Sequence, residues 1–107
     1  AALIADVTVL ALQRSPSLSG TWHLTANGQT SWHGFAEAIF AEALALGLLE
    51  RVPDVEAIPA ADYPTPARRP SWSVLDNRGL QQALEIQLPD WRHGLHAVMR
   101  QLLRQQQ

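Results

Sequence analysis

Arg68 and Arg69 are the residues of this 107-residue sequence whose type and setting most directly suggest chemistry. A guanidinium stays charged at any cellular pH and offers a planar fork to paired anionic oxygens. The two arginines sit in Asp62-Tyr63-Pro64-Thr65-Pro66-Ala67-Arg68-Arg69-Pro70, where three prolines fall within seven residues. Prolines at that density forbid helix, hold the backbone extended and lower the entropy lost when the forks are fixed. The segment reads as a stiff, exposed strap. Neighbouring side chains on an extended chain point to opposite sides, so a given ligand is expected to meet one fork more readily than both. A plainer reading pairs one or both arginines with Asp62 or Asp76, which would tie the strap to the domain.

Thr30, Ser31 and Trp32 form the second candidate cluster. They open a helical stretch, where free backbone N–H groups and hydroxyls can meet an anion or a sugar and an indole can stack on a ring. The plainer account is a hydroxyl N-cap with a packed aromatic beneath it. Other chemistry is poorly supplied. All eight basic residues are arginine, and without lysine there is no amine to act as base, Schiff-base former or phosphate clamp. With no cysteine there is no disulfide framework, thiolate ligand or thiol nucleophile, and a reducing cytoplasm is the default setting. His93 and His96 stand three apart without a third ligand at matching spacing, so no metal is expected. Neither His23 nor His33 has a serine and an acid placed as a recognisable triad, and no catalytic residue is assigned.

The elements that must position these residues follow from periodicity. Residues 2–14 place Leu3, Ile4, Val7, Leu10 and Ala11 on one helical face, and Ser15-Pro16-Ser17-Leu18-Ser19-Gly20 is a turn-forming stretch that ends it. Thr21-Trp22-His23-Leu24-Thr25 alternates with period two and predicts a strand, broken by Asn27-Gly28. From Thr30 the period becomes helical through Phe35, Ile39, Ala43 and Leu46, with Glu37, Glu42 and Glu50 free to face solvent. Val55-Glu56-Ala57-Ile58 is a second short strand candidate, which would complete a parallel crossover. Asp76 and Asp90 are N-cap candidates for a short helix through Leu80 and Leu84 and a longer one through Trp91, Leu95, Val98 and Leu102. Trp22, Trp91, Phe35 and Phe40 fall on apolar periodicities and are expected in the core.

These elements predict an α/β fold, a small lobe of short parallel strands and about four helices, in one unit over residues 1–107. A hydrophobic content of 47% with eight arginines against ten acidic residues fits an ordinary globular domain, and no nucleic-acid partner is expected. No apolar stretch is long enough for a bilayer, so no membrane partner is expected either. The chain opens without methionine inside a helical pattern lacking a cap, which reads as a piece of a longer protein. If the piece is stable, its open apolar face should lead it to self-associate or to swap elements in a dimer.

Three stretches carry a resemblance. They are Gly20-Thr21-Trp22-His23-Leu24-Thr25-Ala26-Asn27-Gly28-Gln29-Thr30-Ser31-Trp32-His33-Gly34-Phe35-Ala36, then Tyr63-Pro64-Thr65-Pro66-Ala67-Arg68-Arg69-Pro70-Ser71-Trp72-Ser73-Val74-Leu75-Asp76, then Leu88-Pro89-Asp90-Trp91-Arg92-His93-Gly94-Leu95. In that order they resemble the C-terminal, substrate-binding part of the dTDP-4-dehydrorhamnose reductase family, within the extended short-chain dehydrogenase/reductase superfamily.

The resemblance implies a full-length bacterial, cytoplasmic oxidoreductase of dTDP-rhamnose biosynthesis. Its Rossmann half would bind NADPH and carry a catalytic Tyr-x-x-x-Lys, and its smaller lobe would close over a dTDP-sugar. Only the smaller lobe is represented. The glycines at 20, 28, 34, 47, 79 and 94 form no dinucleotide fingerprint, and the single tyrosine, Tyr63, is followed by Pro64-Thr65-Pro66-Ala67. These residues alone are therefore expected to bind no cofactor and to be inactive, and their share would be substrate grip through Arg68, Arg69, Thr30, Ser31 and Trp32, with the diphosphate as the natural target of a guanidinium. Two alternatives stay open: a non-catalytic relative such as the regulatory subunit of methionine adenosyltransferase, or a reductase of the same superfamily acting on another sugar nucleotide. Base and sugar choice, NADPH against NADH, and oligomeric state are not legible in these residues.

Overall fold

The first helix forms where leucine, isoleucine and valine recur at helical spacing. In the computed structural model, which describes residues 1–14 and 17–106, it is α1, Ala2–Arg14. Ser15 and Pro16 of the expected turn lie outside the described residues. Three more α-helices follow: α2, Trp32–Ala45; α3, Arg78–Leu84; and α4, Trp91–Gln105. A 3₁₀ turn spans Ala60–Asp62. The expectation of about four helices therefore matches the described residues.

The expected short parallel strands are not present as ladders among the described residues. Thr21–Ala26 and Val55–Ile58 have no strand pairing, and the nearest feature is one isolated parallel bridge between Asn27 and Asp90. In that bridge Asn27 N donates to Pro89 O at 2.8 Å and Trp91 N donates to Asn27 O at 3.0 Å. Alternation prepares a chain for a pleated sheet, but a strand exists only when a neighbour supplies its hydrogen bonds. Val55 is instead held by a side chain, with His33 Nε2 lying 3.0 Å from its carbonyl oxygen.

Contacts divide the chain into two compact units, one of Ala1–Gly28 with Val74–Gly94, the other of Gln29–Ser73 with Leu95–Gln107. In the first unit Val7 of α1 packs with Leu80, Leu84 and Leu88, and Leu3, Ala11, Leu18, Leu24 and Ile86 close around them. Leu84 is the most buried of these at 2% exposure. Ile4, expected on the packed face of α1, lies at its edge and is 57% exposed, and Val9 and Leu12 on the far side are exposed as well. Trp22, expected in the core, is 38% exposed, because its indole donates to Ser19 O at 3.2 Å and the ring edge only brushes Gly79.

In the second unit Ala43 and Met99 are the buried apolar residues among those described. Phe35, Ile39, Phe40 and Leu46 are half-buried along α2, on the expected face. Glu42 departs from expectation: it is half-buried and meets His96 Nδ1 of α4 at 2.9 Å.

Candidate functional site

The start of α2 shows how Thr30, Ser31 and Trp32 are placed. Ser31 is the N-cap, in extended backbone, and its Oγ accepts from Gly34 N at 3.0 Å. The hydroxyl therefore serves the helix itself, relieving one of the free N–H groups of its first turn. Thr30 Oγ1 lies over that first turn, so close to Gly34 that a Cβ there would fall 2.5 Å from it. A glycine at 34 thus makes room for Thr30. Trp32 is 87% exposed, touching Phe35 edge-on with ring centroids 6.3 Å apart. The expected aromatic packed beneath the cap is absent at Trp32, and its indole face is open to solvent.

The strap behaves as its prolines require. Every residue from Glu56 to Asp76 is exposed, and Thr65 Oγ1 donates to Ala67 O at 2.7 Å, stitching the backbone just ahead of the arginines. Among the described residues neither Arg68 nor Arg69 makes a hydrogen bond or an ion pair. Asp76, one of the two acids that could have held them, is already engaged: Arg78 grips its carboxylate at 2.7 and 2.9 Å, and Arg78 N donates to it at 3.0 Å. The Arg78 side-chain hydrogen bond, then its backbone N–H, hold the Asp76 carboxyl at about 2, well below its ordinary 3.8. Asp76, expected as the N-cap, thus acts one residue before it, while Asn77 occupies the N-cap of α3. Asp90 caps α4 as expected, its carboxylate accepting from Arg92 N at 2.9 Å.

Exposed aromatic rings flank the arginines along the chain, with Tyr63 at 70% and Trp72 at 66% exposure. Two cations without acid partners, between two open rings on a proline-stiffened backbone, can take an anion together with a flat ring or a sugar face. No described contact joins the strap arginines to Thr30, Ser31 or Trp32.

Sequence reading missed a third group. Asn27 was legible only as a strand breaker, and Asn77 and Gln81 as ordinary positions of a short helix. In the structure their amides meet: Asn77 Nδ2 donates to Asn27 Oδ1 at 3.0 Å, Asn27 Nδ2 to Gln81 Oε1 at 3.1 Å, and Gln81 Nε2 to Asn77 Oδ1 at 2.9 Å. Asn77 is buried, the one polar residue among those described to be so. A signal did exist, since Asn77 and Gln81 stand four apart on one helix face. Nothing in the sequence announces Asn27 as their partner.

Comparison with known proteins adds the family context. Residues 1–104 match the family model described as the RmlD substrate binding domain. A dTDP-4-dehydrorhamnose reductase of Burkholderia thailandensis is 47% identical over 93 residues, covering 81% of this chain and 30% of that protein. One from Escherichia coli is 38% identical over 105 residues, covering 95% of this chain and 35% of the relative. One from Aggregatibacter actinomycetemcomitans is 51% identical over 79 residues, covering 74% and 27% respectively. The chain thus spans about a third of the length of the curated relatives it matches, in their C-terminal part. No solved structure gives a significant match.

Proposed function

Because this chain belongs to the RmlD substrate binding domain family, we propose that it is the substrate-gripping part of a cytoplasmic bacterial reductase that uses NADPH to convert dTDP-4-dehydro-L-rhamnose to dTDP-L-rhamnose. The observation that carries the grip is the strap: Arg68 and Arg69 are exposed and, among the described residues, unpaired, and Asp76, an acid the sequence offered them, is engaged by Arg78. An arginine kept for structure would be expected to find an acid. One kept for a ligand should stand with its fork open on a stiff backbone, where little entropy is lost when a diphosphate is bridged.

Thr30, Ser31 and Trp32 are the second point of grip in this reading. Ser31 is committed to Gly34 and the Thr30 hydroxyl donates to Ser31 O at 3.3 Å, so the groups left for a ligand are the acceptor side of the Thr30 oxygen, the remaining first-turn N–H groups and the open indole of Trp32. These residues orient a sugar nucleotide; none of them is proposed to move a proton or a hydride. The nicotinamide cofactor, which supplies the hydride when bound, does not fit these residues. The six glycines are scattered, and Gly28, which stands between the Thr21–Thr25 segment and α2, has no clustered glycines beside it to form a dinucleotide fingerprint. The cofactor would be held by chain outside this sequence, and Thr21–Thr25, which alternates as a strand but has no partner among the described residues, would pair only if a neighbouring strand were supplied.

The test is kinetic, in the full-length protein. A fork that bridges the diphosphate binds ground and transition states alike, so Arg68→Lys or Arg69→Lys should raise KM for the dTDP-sugar and spare kcat. Loss of one charge-assisted hydrogen bond, about 1.5–3 kcal/mol, corresponds to roughly a ten- to hundredfold weakening. Thermal unfolding should be unmoved. If both variants keep the wild-type KM, the strap does not hold the diphosphate and the start of α2 becomes the better candidate.

A further inference from the structure

The amide ring of Asn27, Asn77 and Gln81 lies at the point where the chain leaves the first unit. The backbone passes between the two units at 28–29, 73–74 and 94–95. Asn27 stands one residue before the first crossing. Asn77 stands three residues after the second. The stretch feeding the third crossing is bonded to Asn27 itself, through Asn27 N to Pro89 O and Trp91 N to Asn27 O.

The ring is internally determined. Each amide is oriented by a backbone group that can act in only one sense: Asn77 Nδ2 donates to Thr25 O at 2.9 Å, Asn27 Nδ2 donates to Leu88 O at 2.6 Å, and Gln81 Oε1 accepts from Leu88 N at 2.8 Å. With those three choices made, every side chain donates to the next around the cycle. Such a closed ring polarises its own members and is costly to open. Gly28 completes it: at φ +86° its missing Cβ would lie 2.6 Å from Asp90 Oδ1 and 3.0 Å from the Trp91 ring.

We infer that Asn77, with Asn27 and Gln81, is a positioning device for substrate binding: the amide ring fixes the points from which the chain departs toward the start of α2 and toward the strap. The inference rests on the function proposed above. Its strength falls with tether length. Asn27 and Thr30 are three positions apart, at most about 11 Å of extended chain, whereas Asn77 and Arg69 are eight positions apart, roughly 26–29 Å. The ring therefore governs Thr30, Ser31 and Trp32 more tightly than it governs the arginines. None of the three amides is placed against the ligand.

The experiment compares Asn77→Ala with Leu84→Ala in the full-length enzyme, the second variant being a core truncation in the same unit that removes no hydrogen-bonding group of the ring. Both should lower the melting temperature. Asn77→Ala should also raise KM for the dTDP-sugar by about tenfold, with KM for NADPH and kcat held within about twofold of wild type, while Leu84→Ala leaves all three constants in place. Gln81→Met serves in the same role if Asn77→Ala does not fold. Unchanged KM in the ring variants, or an equal rise in Leu84→Ala, overturns the inference. Absence of turnover in the wild type would sink the functional reading instead. Hydrogen exchange then decides the ring alone: faster exchange at Gly28–Ser31 and Val74–Asp76 in Asn77→Ala than in Leu84→Ala supports it, and equal exchange ends it.

Discussion

The amide ring of the first unit and the proline strap of the second are both polar, and they treat their polar groups in opposite ways. In the ring each amide is matched on both its donor and acceptor sides, with a buried Asn77 at its centre. In the strap the guanidinium groups of Arg68 and Arg69 are exposed and have no partner among the described residues. The difference follows from solvation. A buried amide left unmatched costs about 1–3 kcal/mol, so burial demands closure. An exposed cation is satisfied by water and can wait for a ligand that replaces that water. Closed polar groups therefore build the frame here, and open ones are where binding is to be sought.

Three substitutions would break or sharpen that contrast. The largest effect is expected for Leu84→Ala, since Leu84 is 2% exposed at the centre of the first unit's core. The truncation should cost about 2–5 kcal/mol by denaturant unfolding, with substrate KM unchanged. A marked rise in KM would mean that frame and grip are not separable. Next is Gly28→Ala, where a left-handed backbone and an overlap with Asp90 Oδ1 coincide. Strain of about 1–3 kcal/mol is expected there, and the same change should weaken substrate binding, because Gly28 lies between the ring and Thr30. Stability lost without any loss of affinity would place Gly28 with the frame alone.

The smallest effect is expected at Asp76, beyond the strap and just ahead of α3. The Asp76 carboxyl is held at about 2 against an ordinary 3.8, chiefly by the Arg78 side-chain hydrogen bond. A carboxyl depressed on folding adds stability that is complete above 3.8 and fades as pH falls toward about 2. The pair is exposed and screened, so Asp76→Asn should shift the melting temperature only slightly at neutral pH and should shrink the acid-side loss within that window. Substrate KM should stay put. A rise in KM would show that the Asp76–Arg78 pair belongs to the grip after all.

Much of this was legible in the residues themselves. Helical periodicity located all four helices, since apolar spacing reports which face will be buried whatever lies against it. Proline density determined that residues 64–70 would be non-helical and exposed, a local consequence of fixed φ angles and missing N–H groups. Hydroxyl chemistry narrowed the α2 cap to Thr30 or Ser31, of which the structure uses Ser31, and the long shared segments named the family.

What only the tertiary structure decided are matters of partner. Period-two alternation at Thr21–Thr25 could not say whether a neighbouring strand would be supplied, and among the described residues none is. Glu42 had the spacing of a solvent-facing residue, but His96, far away in sequence, drew it inward. Asp76 was free on paper to hold Arg68 or Arg69, and Arg78 took it first. The amide ring joins residues 50 and 54 positions apart. Periodicity and propensity are local properties of a chain, whereas a hydrogen-bond partner distant in sequence exists only once the chain has closed on itself.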